Sequence, residues 1–274
     1  MEITKKSVLD FQDLQQIIPA FRSKAGAALL KVLIPLVGVN KINDLYAHSC
    51  HKEGIEFIDS ILEELQVTYE VDHAERLKHL PEGAFITVSN HPFGSLDGIL
   101  LIRLIAGERP DFKVMVNWIL EYVVTMSNHF IGVNPTADKN NPSSMNGIKS
   151  SIRHIREGHP LGFFPAGSVS KLNYKLRIAD REWQPNVLRL IQQMRVPVIP
   201  IYFHGHNSVF YHLLGLIHWQ IRSLRLPREV FNKSGKPIRI GIGETITVEE
   251  LAQHSELKDL GAFLKSRTYL MARE

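Results

Sequence analysis

The run VSNHPFGSLDG at residues 88–98 brings together residue types that suit proton transfer. The apolar residues before it predict a strand that ends at Asn90, and the proline and glycine that follow predict a turn. Ser95 is a favourable N-cap residue, so we expect a helix to begin there. His91 is therefore expected at the carboxyl end of a strand, which is where α/β sheets bind their ligands.

His91 and Asp97 form the candidate catalytic pair. Asp97 lies in the first predicted helical turn, close enough in sequence to fold back onto the imidazole. A carboxylate at one ring nitrogen fixes the tautomer, and the other nitrogen can then accept a proton from a substrate hydroxyl. Such a pair needs no protein nucleophile, because the acceptor hydroxyl itself attacks. A histidine and an aspartate at this spacing often only cap a turn and a helix. Whether the pair is catalytic or structural therefore depends on other segments of the sequence.

Two later segments also read as strands that meet a turn. LGFFPAGSVS (161–170) is apolar and then rich in turn formers, so the backbone N–H groups of Gly167 and Ser168 could form an oxyanion nest. An ordinary strand-to-loop turn explains this segment equally well when it is taken alone. RVPVIPIYF (195–203) reads as a buried strand, and Pro200 inside it predicts an edge, a bulge or a position that lines the site.

In this order, the three segments resemble the glycerolipid and lysophospholipid acyltransferase family. That family carries a His-x4-Asp motif, then Phe-Pro-Glu-Gly, then a Val-Pro-Ile-(Ile/Val)-Pro strand. Here five residues separate His91 from Asp97, and Ala166 stands where glutamate is usual. Both features resemble the hemolysin-like branch, which includes O-acyltransferases of bacterial amino-acid lipids such as ornithine and glycine lipids. The resemblance covers about residues 65–245, including DREWQP (180–185), FHGHNS (203–208) and LPRE (226–229).

The resemblance implies an O-acyltransferase that moves a fatty acyl group to a lysolipid hydroxyl. The implied donor is a thioester of acyl carrier protein or coenzyme A, and no cofactor is expected. His91 and Asp97 are the predicted catalytic residues. The residues predicted to bind substrate are Asn90, Gly94, Phe164, Pro165, Gly167, Ser168, Lys171 and Pro200.

The acceptor's head group is the open part of this prediction. The family usually supplies an arginine for the acceptor phosphate, but the nearest counterpart, residues 131–138, contains none and only Lys139 follows. One lysine cannot copy the bidentate geometry of a guanidinium. Lys171, Lys175 and Arg177 could receive a phosphate or the carboxylate of an acylated amino acid. The favoured acceptor is a lyso-amino-acid lipid, and the alternative is 1-acylglycerol-3-phosphate, which would make the protein a phosphatidic acid synthase.

Two other classes of function use the same residue types. A serine or metal-dependent hydrolase is disfavoured because the sequence has no Gly-x-Ser-x-Gly elbow. A catalytically silent lipid-binding protein is disfavoured because His91 and Asp97 are both intact.

Past residue 65, short apolar strands alternate with amphipathic helices, which predicts an α/β domain with a largely parallel mixed sheet flanked by helices. We assign residues 66–274 to this acyltransferase domain and 1–65 to an N-terminal helical, membrane-associating element. The predicted strands are Val67–Val71, Ala84–Ser89, Lys113–Val116, Leu161–Phe164, Val198–Phe203 and Ile238–Ile242. The predicted helices are Asp97–Ala106, Trp118–Ser127, Ser143–Arg156, Gln184–Arg195, Ser208–Ile217 and Leu257–Met271.

The N-terminal region holds an apolar stripe between Phe21 and Val39, with basic residues among its members. Such a stripe suits a helix lying on a lipid surface, and packing on the protein's own core explains it equally well. The longest apolar stretch is interrupted by Lys31 and Pro35, so it falls short of the roughly 20 residues that a spanning helix needs. With no apolar segment of the secretory kind at the N-terminus, we expect a cytoplasmic protein, peripheral on the inner face of a bacterial cell membrane.

The composition limits the kinds of partner and metal site that we expect. The net charge of +4 suits an anionic partner, and the absence of aromatic-interleaved basic stretches and zinc-finger spacing argues against nucleic acid. The single cysteine, Cys50, excludes an internal disulfide and fits a reducing compartment. Cys50 with His48 and His51, or His204 with His206, is too small a set of donors, so no metal site is expected.

Overall fold

The computed structural model describes residues 5–134, 142–174 and 176–273, without the side chains of residues 142–144. The strands are β1 (Tyr69–Asp72), β2 (Ile86–Ser89), β3 (Lys113–Asn117), β4 (Phe130–Val133), β5 (Leu161–Phe163), β6 (Lys171–Leu172), β7 (Ile178–Ala179), β8 (Val198–Phe203) and β9 (Ile238–Ile242). The helices are α1 (Phe11–Ile17), α2 (Lys24–Val37), α3 (Val39–Ser49), α4 (Gly54–Glu64), α5 (Ser95–Ala106), α6 (Pro142–Arg156), α7 (Pro185–Met194), α8 (Val209–Ile217), α9 (Trp219–Phe231), α10 (Val248–Ala252) and α11 (Leu257–Leu270).

The main sheet has the order β1-β9-β8-β2-β5-β3-β4. All of its neighbouring strands are parallel except the antiparallel pair β8 and β9. Every residue of β2 is buried, as expected for a central strand covered on both faces. The predicted α/β fold with a largely parallel mixed sheet is confirmed, and β2 lies between β5 and β8 at its centre.

Helices cover both faces of this sheet. On one face α3, α4 and α5 pack against β8 and β9, and on the other α6, α7 and α11 pack against β2 and β5. Ile199, Ile201 and Phe203 of β8 belong to the first cluster and Val198 belongs to the second, because side chains of a strand point alternately to its two faces.

Several predicted elements need correction. The helix predicted at Trp118–Ser127 is two short 3₁₀ helices, Trp118–Tyr122 and Val124–His129. The prediction omitted β4, the small β6–β7 hairpin, α9 and α10. The omission of α9 has a simple origin, since Pro227 lies inside that helix and proline normally breaks one.

Of the three alternatives for Pro200, an edge, a bulge or a position that lines the site, the edge is wrong, because β8 lies inside the sheet. The Pro200 carbonyl still accepts a hydrogen bond from the Gly243 N–H at 2.8 Å. Gly243 leaves room for the proline ring, since a β-carbon there would lie 3.1 Å from Cγ of Pro200. A small partner thus allows proline inside a paired strand.

The N-terminal region is only partly separate from the main core. Buried side chains of α3 and α4, such as Tyr46 and Ile58, belong to the same cluster as the sheet. By contrast, α2 contacts α9 and leaves Leu29, Val32 and Leu36 between 53% and 65% exposed. Among the described residues no single helix is long and apolar enough to cross a membrane, while α2 and α3 together, bent by 65°, have the length and composition to do so.

Candidate active site

The carboxyl end of β2 is fixed to the end of β8 by Asn90. Its side-chain nitrogen donates to the Phe203 carbonyl at 2.9 Å, and its side-chain oxygen accepts the Phe203 N–H at 2.7 Å. Asn90 was predicted to bind substrate, and the structure places its amide in these two backbone contacts. The following residue, His91, is therefore anchored where two central strands end.

The turn after His91 directs Asp97 back towards it. Gly94 has a φ of +97° and is the N-cap of α5, so the prediction of Ser95 as the N-cap is wrong by one position. Oδ2 of Asp97 accepts the N–H groups of Phe93 and Gly94, both at 2.9 Å. Nδ1 of His91 lies 2.9 Å from the same oxygen. The geometry therefore brings the predicted catalytic pair together.

Asp97 is completely buried, whereas the side chain of His91 is 19% exposed. Burial raises the pKa of Asp97, while the adjacent His91 and the two backbone N–H donors oppose that rise. A carboxylate this close to Nδ1 favours the tautomer that carries the proton on Nδ1. Nε2 is then the nitrogen that can accept a proton from a substrate.

Asp180 and Ser170 support His91 from the other side. Oδ1 of Asp180 accepts the His91 N–H at 3.2 Å and the Ser170 hydroxyl at 2.6 Å. The Ser170 N–H donates to the His91 carbonyl at 2.8 Å. Neither residue was predicted for the site. The segment DREWQP had pointed to the position of Asp180, but nothing in it indicated a bond to the backbone of a residue 89 positions away.

The segment after β5 lies against the pair. The Phe164 ring packs on the His91 ring with centroids 4.4 Å apart, and Pro165 beside it is buried. Gly167 has a φ of +61°, and its N–H donates to the Phe164 carbonyl at 2.9 Å, so the turn already uses one of the two N–H groups assigned to an oxyanion nest. Within the described chain, the Ser168 N–H has no such turn bond.

The remaining predicted residues are more scattered. Lys171 and Arg177 lie exposed on the β6–β7 hairpin and beside it. Pro200 is buried in the middle of β8, three residues before the strand ends. Asp138, Lys139 and Lys175 lie outside the described residues.

No group of three or more potential metal ligands occurs in the described ranges. Cys50 is buried, and its thiol donates to the Ala47 carbonyl at 3.4 Å. His48 contacts Glu64 at 2.8 Å. Nε2 of His204 lies 3.9 Å from Oδ2 of Asp72.

Comparison with known proteins identifies the family of this chain. A family model described as "Acyltransferase" matches residues 16–274. The chain belongs to this acyltransferase family. The match begins inside α1 and includes every strand of the main sheet, so this acyltransferase carries its family's sequence pattern through the whole site.

Two curated relatives of this acyltransferase are both named lyso-glycine lipid O-acyltransferase. The protein from Bacteroides thetaiotaomicron is 29% identical over 229 residues, which is 80% of each chain. The protein from Phocaeicola vulgatus is 26% identical over 244 residues, which is 85% of this chain and 84% of the relative. The chain therefore covers most of the length of both relatives.

Proposed function

We propose that this acyltransferase transfers a fatty acyl group from an acyl thioester to the hydroxyl of a lysolipid, and that it prefers a lyso-amino-acid lipid as acceptor. The observation that carries the proposal is the contact between His91 and the buried Asp97 at the ends of the central strands. The names of the two relatives, which cover most of this chain, support the same substrate class.

In the proposed reaction the lysolipid hydroxyl is the nucleophile. Its oxygen attacks the thioester carbonyl carbon while its proton moves to Nε2 of His91. Asp97 stabilises the imidazolium that results. The carbon–sulfur bond then breaks, the proton passes from Nε2 to the sulfur, and the products are an ester and a free thiol. The donor is a thioester of acyl carrier protein or coenzyme A, and the reaction needs no cofactor.

The choice of acceptor leads to a direct prediction. With one acyl carrier protein thioester, we expect kcat/KM to be at least about 10-fold higher for a lyso-amino-acid lipid than for lysophosphatidic acid, a difference of ~1.4 kcal/mol. The reason is that residues 131–138 carry no arginine fork for a phosphate. The measurement is the rate of ester formation at several concentrations of each acceptor. A preference for lysophosphatidic acid would assign the protein to phosphatidic acid synthesis.

We further propose that the protein works on an anionic lipid surface. Besides the α2 stripe, the α8–α9 pair exposes large apolar side chains, namely Val209, Phe210, Leu213, Leu216, Ile217, Trp219, Ile221 and Leu224. Because α2 contacts α9, the two apolar areas belong to one side of the protein, which we call the α2–α8–α9 surface. An exposed apolar area of this size is typical of an interaction site.

Charge favours lipid as the occupant of the α2–α8–α9 surface. Every charged side chain of these helices that reaches solvent is basic, namely Lys24, Lys31, Arg225 and Arg228, and their one acid, Glu229, is buried. The same surface adjoins the site, since a β-carbon on Gly94 would lie 3.1 Å from Leu226 of α9. A lysolipid in the bilayer could then present its hydroxyl without moving its chain into water, where each exposed methylene costs ~0.8 kcal/mol. The proposed location is the inner face of a bacterial cell membrane, where the donor thioesters are made.

Adding charge to the α2–α8–α9 surface tests this proposal. The double variant Leu29→Glu/Val32→Glu places two carboxylates among exposed apolar side chains, so it should sediment at least about 10-fold more weakly with anionic vesicles, given the apolar area lost and the charge repelled. The matched control is Met145→Glu/Ile148→Glu on α6, where the native side chains are 42% and 41% exposed on the other face of the sheet. Equal vesicle binding by both double variants would assign the α2 stripe to another role.

A further inference from the structure

Arg222 of α9 is a buried cation close to the catalytic pair. The residue is only 9% exposed. Its two terminal nitrogens donate to the carbonyls of Ser170 and Val169, each over a long distance of 3.4 Å. Ser170 is the residue whose N–H donates to the His91 carbonyl. The guanidinium therefore lies one residue away from the backbone that holds the base.

The charge of Arg222 is not neutralised by the buried acid of its own helix. The oxygens of Glu229 accept bonds from the Ser208 N–H and hydroxyl and from the Asn232 amide, and Arg225 contacts one of them at 3.5 Å. Within the described chain, Nε of Arg222 has no hydrogen-bond partner. A buried cation that lacks an ionic partner and has an unused donor is costly to maintain.

Two aromatic side chains lie near Arg222, and neither carries a negative charge. Tyr211 lies beneath the guanidinium with 5.3 Å between Cζ and the ring centroid. His212 is buried, and neither of its ring nitrogens has a hydrogen-bond partner among the described residues. Burial, with the nearby cations, lowers the pKa of His212 to about 4, so this ring is neutral at pH 7. The cluster thus combines one fixed positive charge with unused polar atoms.

We infer that Arg222 binds the carboxylate of the acceptor's amino-acid head group while the acceptor hydroxyl meets His91. This inference rests on the proposed function. A single carboxylate suits a guanidinium that can turn from two long backbone contacts to a shorter charge-assisted pair. Leu226, one turn further along the same face of α9, lies against Gly94, so the helix already packs beside the turn of the catalytic pair.

This assignment differs from the one drawn from the sequence. Lys171 and Arg177 were the candidate cations for the head group, and both are exposed to solvent. Water screens the attraction of an exposed cation for a carboxylate, whereas Arg222 acts in a less polar environment. On this view the cation that meets the carboxylate comes from α9, a helix much later in the chain than residues 131–138.

The test compares a charged acceptor with its neutral counterpart. The acceptors are an N-(hydroxyacyl)glycine and its methyl ester, and the enzymes are the wild type, Arg222→Met and Arg222→Lys. For the free acid, Arg222→Met should lower kcat/KM about 10- to 100-fold, mainly through KM, the scale of a charge-assisted hydrogen bond. For the methyl ester the loss should be less than about 3-fold, since no charge-assisted bond is removed. For the free acid, the kcat/KM of Arg222→Lys should lie between those of the wild type and Arg222→Met, because lysine keeps the charge without the planar fork of the guanidinium.

The matched control is Arg103→Met, which removes an arginine paired with Asp59 on the outside of α5. The ratio of kcat/KM for the free acid to kcat/KM for the methyl ester should stay at the wild-type value in this variant. A similar loss with both acceptors in Arg222→Met would overturn the inference and give Arg222 a structural role. A collapse of the ratio in Lys171→Met or Arg177→Met, but not in Arg222→Met, would overturn it in favour of the hairpin.

A binding measurement separates this inference from the proposed function. An N-acylglycine without a hydroxyl cannot be acylated, so its calorimetric titration does not depend on turnover. We expect it to bind the wild type at least about 10-fold more tightly than its methyl ester, and to lose that advantage in Arg222→Met. This result would support the inference even if the wild type acylated neither acceptor, an outcome that would contradict the proposed function alone. Equal affinity of acid and ester for the wild type would overturn the inference.

Discussion

Replacing His91 by alanine is expected to lower kcat/KM about 100-fold or more, the scale of a lost general base. The loss follows from the geometry, in which the imidazole is the group that Asp97 positions at 2.9 Å and the Phe164 ring covers at 4.4 Å. The fold should survive, because the side chain is partly exposed and lies in a turn that Asn90 and Asp180 anchor through the backbone. The measurement is acyl transfer from a thioester to a lysolipid, with circular dichroism and thermal unfolding as the checks of folding.

The chain offers a matched control for this experiment. His254, between α10 and α11, and Asp259, in the first turn of α11, form another histidine–aspartate pair, with 2.6 Å between Nδ1 and Oδ2. His254→Ala removes an imidazole with a similar partner far along the chain from the site, so its rate should match that of the wild type. If folded His91→Ala transferred acyl groups at the wild-type rate, the proposed mechanism would be wrong.

Replacing Asp97 by asparagine should lower kcat by up to about 10⁴-fold, the size of the effect when the orienting carboxylate of a histidine is made an amide. The amide oxygen can still accept the N–H groups of Phe93 and Gly94, which bond to Oδ2 in the native protein. In the native protein Nδ1 of His91 lies 2.9 Å from that same oxygen, so the amide oxygen keeps this contact as well and the NH₂ group takes the place of Oδ1. The amide carries no negative charge, so the imidazolium that forms when His91 takes the substrate proton loses its stabilising partner.

Asp97→Asn should also change how stability depends on pH. Burial raises the pKa of Asp97 above its ordinary value of 3.8, so the folded state holds this proton more tightly than the unfolded state does. Its contribution to the free energy of unfolding is fully present below pH 3.8 and is lost as the pH rises through the raised pKa. An amide has no proton to lose, so the variant should lose less stability than the wild type between acid and neutral pH.

Urea unfolding at several pH values measures this difference, and the rate assay is run on the same samples. A variant that is inactive but at least as stable as the wild type at neutral pH would show that the buried carboxylate serves catalysis at a cost in stability. An active Asp97→Asn protein would remove Asp97 from the mechanism. A variant that is less stable than the wild type at neutral pH would mean that the carboxylate contributes to folding through its two backbone bonds.

The elements that carry the strongest local pattern were predictable from the sequence. β8 and β9 have the predicted bounds, and β2 differs only at its start, because runs of closely spaced β-branched residues favour strands. The alternation of such runs with amphipathic helices determined the α/β class. The proximity of His91 and Asp97 was also predictable, since both lie in one strand–turn–helix unit.

Elements with weak local signals were missed for a physical reason. α9 contains a proline, and its stability comes from contacts with α8 and α2 as well as from its own pattern. The edge position, one of three alternatives for Pro200, is wrong because the small Gly243, 43 residues later, makes space for the proline ring inside the sheet. In both cases a contact distant in sequence overrides a local rule.

The pair of His91 and Asp97 was visible in the sequence. The residues that surround this pair were decided by the tertiary structure. His91, its turn and Asp97 are local, so residue types and spacing indicated the candidate pair, and two later segments were needed to favour a catalytic role. Asp180 reaches the backbone of His91 from 89 positions away, and Arg222 reaches Ser170 from 52 positions away. No spacing rule relates residues so far apart, because their distance is set by the order of strands in the sheet and by the packing of α9 beside it. The sequence, through its resemblance to a family, therefore indicated acyl transfer, and only the folded chain shows that Arg222 lies near His91.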